Sequence, residues 1–398
     1  MQRHALLLAI LLIPAAARAQ WQMENSGTTA DLRGIDNVGA GVAWASGTNG
    51  TVLRTEDGGY LWKTCAIPPG AEHLDFRGIQ AFDANTAIVM SSGRGDLSRL
   101  YKTTDGCQTW RLVFTNPDED GFWDAVRFRL IARSPNHQLS VDNAWGVLLG
   151  DPVNGEFTLF VTVDGGSTWT RRLAQKRDRS HHCTIEKFAA LPGENVFAAS
   201  NEALVDDDSD SSYFVTGGAK SRLAYIDHFD LDDSFCSDAS KFIKLPLGGS
   251  PSAGAFASAA KTSNGHGLRQ MMVVGGDYRQ PERSAATAVF VSLPPPNNLF
   301  PPSMYMSVRR PAHPPHGYRS AVAYDADAKT WITVGPNGTD ISTDDGKNWR
   351  ALHPDAALHE APDADRNWNA LSLPFVVGPH GRIGKLNSQP LDGPKNGK

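Results

Sequence analysis

One eight-residue pattern constrains this chain more than any other feature, because it is written four times. The copies are Thr55-Glu56-Asp57-Gly58-Gly59-Tyr60-Leu61-Trp62, Thr103-Thr104-Asp105-Gly106-Cys107-Gln108-Thr109-Trp110, Thr162-Val163-Asp164-Gly165-Gly166-Ser167-Thr168-Trp169 and Ser342-Thr343-Asp344-Asp345-Gly346-Lys347-Asn348-Trp349. All four read Ser/Thr-x-Asp-x-Gly-x-x-Trp, except that Cys107 takes the glycine slot in the second. The aspartate suits a tight turn because its carboxylate caps backbone N–H groups. The glycine can take the positive φ that such a turn demands. The opening hydroxyl makes local bonds to the backbone, and the tryptophan folds over the turn as an apolar plug.

These octets resemble the Asp-box (BNR) repeat, which lies on a β-hairpin between the two outer strands of a propeller blade. In that family the box is a folding device and does not touch substrate. The resemblance therefore assigns Asp57, Trp62, Asp105, Trp110, Asp164, Trp169, Asp344 and Trp349 to structure.

A second repeat agrees. Seven apolar runs end in glycine or in a glycine-containing turn: Val42–Gly47, Ala87–Ser92, Trp145–Gly150, Tyr213–Gly218, Met272–Gly276, Trp331–Gly335 and Phe375–Gly378. The box aspartates are spaced 48, 59 and 180 residues apart, so the last gap leaves room for two blades whose boxes have decayed. Periods of this size with short alternating runs predict an all-β, seven-bladed β-propeller with four-stranded blades. The blades are expected at about 31–70, 71–115, 119–175, 193–247, 251–295, 315–354 and 365–388. Trp21-Gln22-Met23 is then free to complete the last blade and remove the exposed sheet edges. Three stretches interrupt the pattern: Ala174–Pro192, Asp227–Ser240 and the proline-dense Pro294–Pro315.

The first residues carry a basic start, a short apolar run from Ala5 to Ile13 and the small-x-small site Ala17-Arg18-Ala19, which read as a signal peptide of residues 1–19. The propeller is then expected over 20–388 and a polar tail over 389–398, in an exported, monomeric protein without a transmembrane segment. Losing Arg3 and Arg18 takes the net charge from −5 to about −7, which argues against a nucleic-acid partner. Four cysteines in an oxidising compartment suggest two disulfides, whose pairing sequence alone does not settle. The expected pairs are Cys65–Cys107 and Cys183–Cys236. His181-His182 beside Cys183 lacks a third ligand at fixed spacing. Asp206-Asp207-Asp208-Ser209-Asp210 lacks the glycine and terminal glutamate of a calcium loop. Neither a metal nor a cofactor is expected.

Alignment of the innermost strands places Arg33-Gly34-Ile35, Arg77-Gly78-Ile79 and Arg319-Ser320-Ala321-Val322 in one slot, with Trp123-Asp124-Ala125-Val126 and Trp368-Asn369-Ala370-Leu371 in the same slot of other blades. Innermost strands line the channel, so Arg33, Arg77, Arg319, Trp123 and Trp368 are expected to converge at one mouth of it as a site for a carboxylate or other anion. Pairing of each arginine with Asp31, Asp75 or Asp124 is the alternative. Asp151 and Asp277, each after a strand-ending glycine, are the candidates for acid chemistry, against a plain turn-capping role. Tyr278 and Tyr318 carry the same two readings.

The whole mature chain resembles the secreted single-propeller branch of the Asp-box superfamily related to the photosystem II stability/assembly factor. The resemblance rests on Phe76-Arg77-Gly78-Ile79, Gly150-Asp151-Pro152, Gly276-Asp277-Tyr278, Gly317-Tyr318-Arg319-Ser320 and the four boxes. It implies a non-catalytic binding or assembly propeller whose arginine-lined channel mouth meets a protein or an anionic small-molecule or glycan partner. The opposing class is a glycoside hydrolase, sialidase-like or another Asp-box glycosidase. Against it stand the missing Arg-Ile-Pro opening and the lack of an evident Tyr–Glu nucleophile pair. Nothing resembles a dinucleotide or haem motif.

Overall fold

The computed structural model describes residues 20–130, 140–172, 174–177, 183–186, 188–206, 211–227, 242–261, 269–293 and 306–387. The leader, the tail, His181-His182, Asp207–Asp210 and Cys236 lie outside the described residues, as does the side chain of Cys183.

Seven antiparallel blades form a ring. Their innermost strands are Leu32–Gly39, Phe76–Ala81, Trp123–Arg129, Leu204–Asp206, Ala253–Lys261, Ala321–Asp325 and Ala370–Ser372. Each pairs outward with one of the seven glycine-ended apolar runs, and two further strands complete the blade. Among the described residues the only helical elements are short turns such as Gly95–Leu97 and Ala356–Leu358, and no helix is long and apolar enough to cross a membrane. Trp21–Glu24 pairs antiparallel with Ile383–Leu386 and supplies the outer strand of blade 7, so the two ends of the chain close the ring.

Two boundaries shift. The fourth strand of blade 5 is Ser307–Arg309, drawn from the proline-dense stretch, so this blade runs past 295. The Ala174–Pro192 stretch contains a hairpin of its own, Ala174–Arg177 against Cys183–Glu186.

The core is a set of layers between blades. One layer joins Trp44, Phe76, Val89 and Tyr101 of blades 1 and 2, another Trp331, Met272 and Val322 of blades 5 and 6. A sheet face that packs on its neighbour must be apolar on both sides, which is why the second strands read as continuous apolar runs.

The four octets sit between third and fourth strands and share one hydrogen-bond scheme. In blade 3, Thr162 Oγ1 donates to Asp164 Oδ1 (2.7 Å), and Oδ1 accepts the N–H groups of Ser167 and Thr168 (both 2.9 Å). The Gly166 N–H donates back to Thr162 Oγ1 (3.0 Å). Ser342, Asp344, Gly346 and Asn348 repeat this, as do Thr103, Asp105, Cys107 and Thr109. Trp62, Trp110 and Trp349 are buried, and Trp169 is half-buried.

The glycine slot touches the preceding blade. A Cβ on Gly59 would stand 2.7 Å from the Phe375 ring, one on Gly166 2.6 Å from Ile88, and one on Gly346 2.1 Å from Met272. Cys107 holds φ +64° in the same slot, and its sulfur bonds Cys65 of the preceding blade. The exception in the pattern is therefore a covalent version of the same contact.

Candidate functional site

A β-bulge fixes which side chains face the channel mouth. The pairing of the innermost strand slips between Leu32 and Gly34, between Phe76 and Gly78, between Trp123 and Ala125, and between Ala255 and Ala257. The extra residue at each slip is Arg33, Arg77, Asp124 and Phe256. A bulge re-aims its extra side chain, and all four line one cavity of about 530 Å³. Ser320 and Asn369, each just before an alanine that opens its strand, line it from blades 6 and 7.

This corrects the expected slot by one residue. The shared anchor is the small residue, Gly34, Gly78, Ala125, Ala257, Ala321 or Ala370, and the channel-facing residue precedes it. Arg319 and Trp123 therefore match Leu32 and Phe76, and like them are shut into the blade, at 1% and 0% exposed. Neither lines the cavity. Arg319 Nε donates to Asp340 Oδ2 (3.0 Å), and its Nη1 donates to the Tyr318 carbonyl (3.0 Å). Trp368 is 1% exposed yet belongs to the lining. A one-residue slip in a strand turns every side chain to the other face.

Two of the three expected arginines do meet at the mouth. Arg33 Nε lies 3.0 Å from Asp75 Oδ1, and Arg77 Nε donates to Asp75 Oδ2 at 2.9 Å. One carboxylate thus serves two guanidiniums, with Asp31 at 4.0 Å from Arg33. Both arginine side chains keep more than a quarter of their surface, at 28% and 30% exposed.

The two expected acids part company. Asp277 is outside the lining; it caps a turn, accepting from Arg279 N–H (3.0 Å) and from Ser250 Oγ (3.2 Å). Burial would raise its pKa, but hydrogen bonds from Ser252, Arg279 N–H and Ser250 prevail and hold it below the usual value. Asp151 does line the cavity, next to Asp124. Burial pushes Asp151 up to about 6, against the pull of the Val196 N–H that donates to its Oδ1 (2.9 Å). Asp124, 1% exposed, is raised well above the carboxylate range by burial and then by the Asp151 charge, with Arg77 opposing. The slot alignment does not single out Asp124, because it puts Trp123 at the channel and leaves Asp124 as one of three possible partners for an arginine.

Aromatic rings form the other wall. Phe256 stacks on Phe197 with centroids 4.1 Å apart, and Tyr318 meets Phe256 edge-on at 4.7 Å. Tyr278 lies at 6.2 Å from Phe256 and stays 45% exposed. Burial raises the Tyr318 phenol above its usual value, so it is neutral.

The channel itself is closed by the chain. Residues 195–202 lead into blade 4 and bond to the innermost strands of other blades, and 195–199 of them line the cavity. Arg77 Nη1 donates to the Ala198 carbonyl (3.2 Å), and Ser200 Oγ to the Ser320 carbonyl (2.7 Å). Asn201 accepts from Val126 N–H (2.8 Å) and donates to the Val126 carbonyl (3.0 Å); Glu202 Oε2 accepts from Val322 N–H (2.8 Å). The Glu202 carbonyl accepts from Ser258 N–H (2.9 Å). Innermost strands leave backbone groups unpaired toward the channel, and the plug satisfies them from four other blades. A Cβ on Gly78 would stand 2.9 Å from Asn201 Oδ1, so the glycine gives the plug room. Burial lifts Glu202 to about 8 and Asp36 to about 6, with Arg127 opposing both.

No protein-family model and no curated protein sequence matches this chain. Solved structures do. One described as YCF48 bound to D1 peptide has a TM-score of 0.54 at 16% identity, over 94% of this chain and 99% of its own. YCF48 from Cyanidioschyzon merolae gives 0.55 at 18%, over 94% and 100%. A GH74 xyloglucanase from Xanthomonas campestris gives 0.52 at 15%, over 93% of this chain but 54% of its own. At these identities the likeness is one of fold.

Proposed function

We propose that this chain is an exported propeller that binds an acidic stretch of polypeptide at the mouth of its plugged channel and does not transform it. The observation that carries the reading is the Arg33–Asp75–Arg77 cluster, where two half-exposed guanidiniums share one carboxylate at the rim of a 530 Å³ cavity. Guanidinium forks left with donors to spare are suited to a carboxylate, and the Tyr278, Phe256 and Phe197 wall suits an apolar neighbour of that carboxylate. A neighbour in fold is described as bound to a peptide, which is in keeping with a polypeptide ligand.

Glycoside cleavage is the weaker reading. It uses two carboxyl groups on either side of the scissile bond, roughly 5–9.5 Å apart. Asp124 and Asp151 instead come from adjacent strands of a single blade.

The test compares the parent with an Arg33→Ala/Arg77→Ala variant of matched thermal stability in a pull-down from an extract of the source organism. A polypeptide held by the parent and lost by the variant is the expected result. Identical partner lists would remove the arginine rim from the argument.

A further inference from the structure

The cavity has a second polar element that the arginine rim does not account for. Asp124 is nearly fully buried, lines the cavity, and leaves Oδ2 without a hydrogen-bond partner among the described residues. A buried carboxyl oxygen without a partner is costly, and in a ligand site it marks a place where a ligand atom belongs. Asp151, beside it, has one oxygen engaged by Val196 N–H. We propose that Asp124 and Asp151 are the other half of the ligand site, holding a proton that they donate as a hydrogen bond to a carboxylate resting on Arg33 and Arg77, so that the ligand enters with uptake of one proton from solvent. The ligand class is a carboxylate adjoining an aromatic ring, the ring lying against Tyr278 and Phe256.

This rests on the ligand-binding reading above and adds to it. The charged and titratable groups that share the cavity or its rim with the pair are Arg33, Arg77 and Asp75 from blades 1 and 2, with Tyr278 and Tyr318 on the opposite wall. Two carboxyl groups that feel one another's charge titrate as a unit, because the second charge is opposed by the first and by burial. Burial and then the Asp151 charge favour the protonated form of Asp124, and burial lifts Asp151 to about 6. A carboxylate brought into the cavity adds negative charge and engages Arg77, whose charge favours ionisation of Asp124. The pair then takes up its second proton. No bond other than that O–H is made, and no co-reactant is needed.

The experiment is calorimetric titration of the full chain with 3-phenylpropanoate and, separately, with the blocked tripeptide acetyl-Phe-Glu-Phe-amide. Each is run at pH 5 and pH 7 in two buffers of unequal ionisation enthalpy. The expected result is uptake of close to one proton per ligand at pH 7 and almost none at pH 5, with affinity falling up to about tenfold per pH unit above the titration of the pair. Asp151→Asn should bind with the buffer dependence gone. Equal heats in both buffers at pH 7, or no binding of either probe at pH 5, overturns the proposal. The wild-type measurement decides without any variant having to fold. If phenylpropanoate binds with proton uptake and the peptide does not, the inference stands and the polypeptide reading falls. If the peptide binds without proton uptake, the reverse holds.

Discussion

Arg319 Nε and Asp340 Oδ2 meet at 3.0 Å inside blade 6, with side chains 1% and 0% exposed. His316 Nδ1 stands 2.8 Å from the other oxygen of the same carboxylate. This is a structural ion pair set behind the channel mouth. Desolvation lowers the Arg319 pKa, and the Asp340 charge works against that loss.

Removing one partner leaves the other buried and uncompensated, which costs about 3–5 kcal/mol. Arg319→Ala should therefore lower the urea midpoint strongly. Arg319→Met/Asp340→Leu should recover most of the loss, because an apolar pair has no charge to strand. If Arg319→Ala unfolds like wild type but loses ligand, Arg319 belongs to the site after all.

Glu202 gives the plug a pH dependence of definite sign. Its folded pKa, about 8, stands above the usual 4.5. The stability it contributes is complete below 4.5 and is lost as pH rises through 8. Between pH 5 and pH 9 the wild type should lose on the order of 3 kcal/mol that Glu202→Gln retains, since Gln can still accept from Val322 N–H. Equal pH slopes for the two proteins in chemical denaturation would refute this.

Cys107 should behave as a box glycine that also carries a cross-link. The disulfide closes 42 residues, which on loop entropy is worth about 4 kcal/mol. Cys65→Ser/Cys107→Gly loses that and regains roughly 1 kcal/mol from the freer backbone at φ +64°. A net loss of about 3 kcal/mol, indifferent to reductant, is expected in equilibrium unfolding.

Asp164→Ala separates structure from binding. It removes the acceptor of Ser167 N–H, Thr168 N–H and the Thr162 and Thr168 hydroxyls, at about 1–3 kcal/mol. Ligand affinity should be unchanged at a temperature where the variant is folded. Arg33→Ala should do the opposite, with affinity lost and unfolding nearly unaltered, because its ion pairs are half-exposed.

How much could be read beforehand differs between fold and site. Trp44, Trp331 and their neighbours announced the second strands, since a blade packed on both faces needs continuous apolar runs. The octets located the outer hairpins, since Asp164 and Gly166 satisfy demands that arise within eight residues. Even the Cys65–Cys107 bond has a trace in the sequence, as the one break in a repeated glycine. Arg33 and Arg77 were legible for the same reason, each preceding a glycine in a short shared motif.

The chain alone thus determined what depends on neighbours in sequence: the blade count, the turns and the closing strand. Only the tertiary structure decided what depends on the bulge and on the plug. A single extra residue sends Arg33, Arg77 and Asp124 into the channel while Arg319 and Trp123, one position earlier, stay inside their blades. The pairing of Asp124 with Asp151, and the placement of Asn201 and Glu202 against four other blades, need strands brought together across tens to more than a hundred residues. Local chemistry writes the blade, and the ring's closure writes the site.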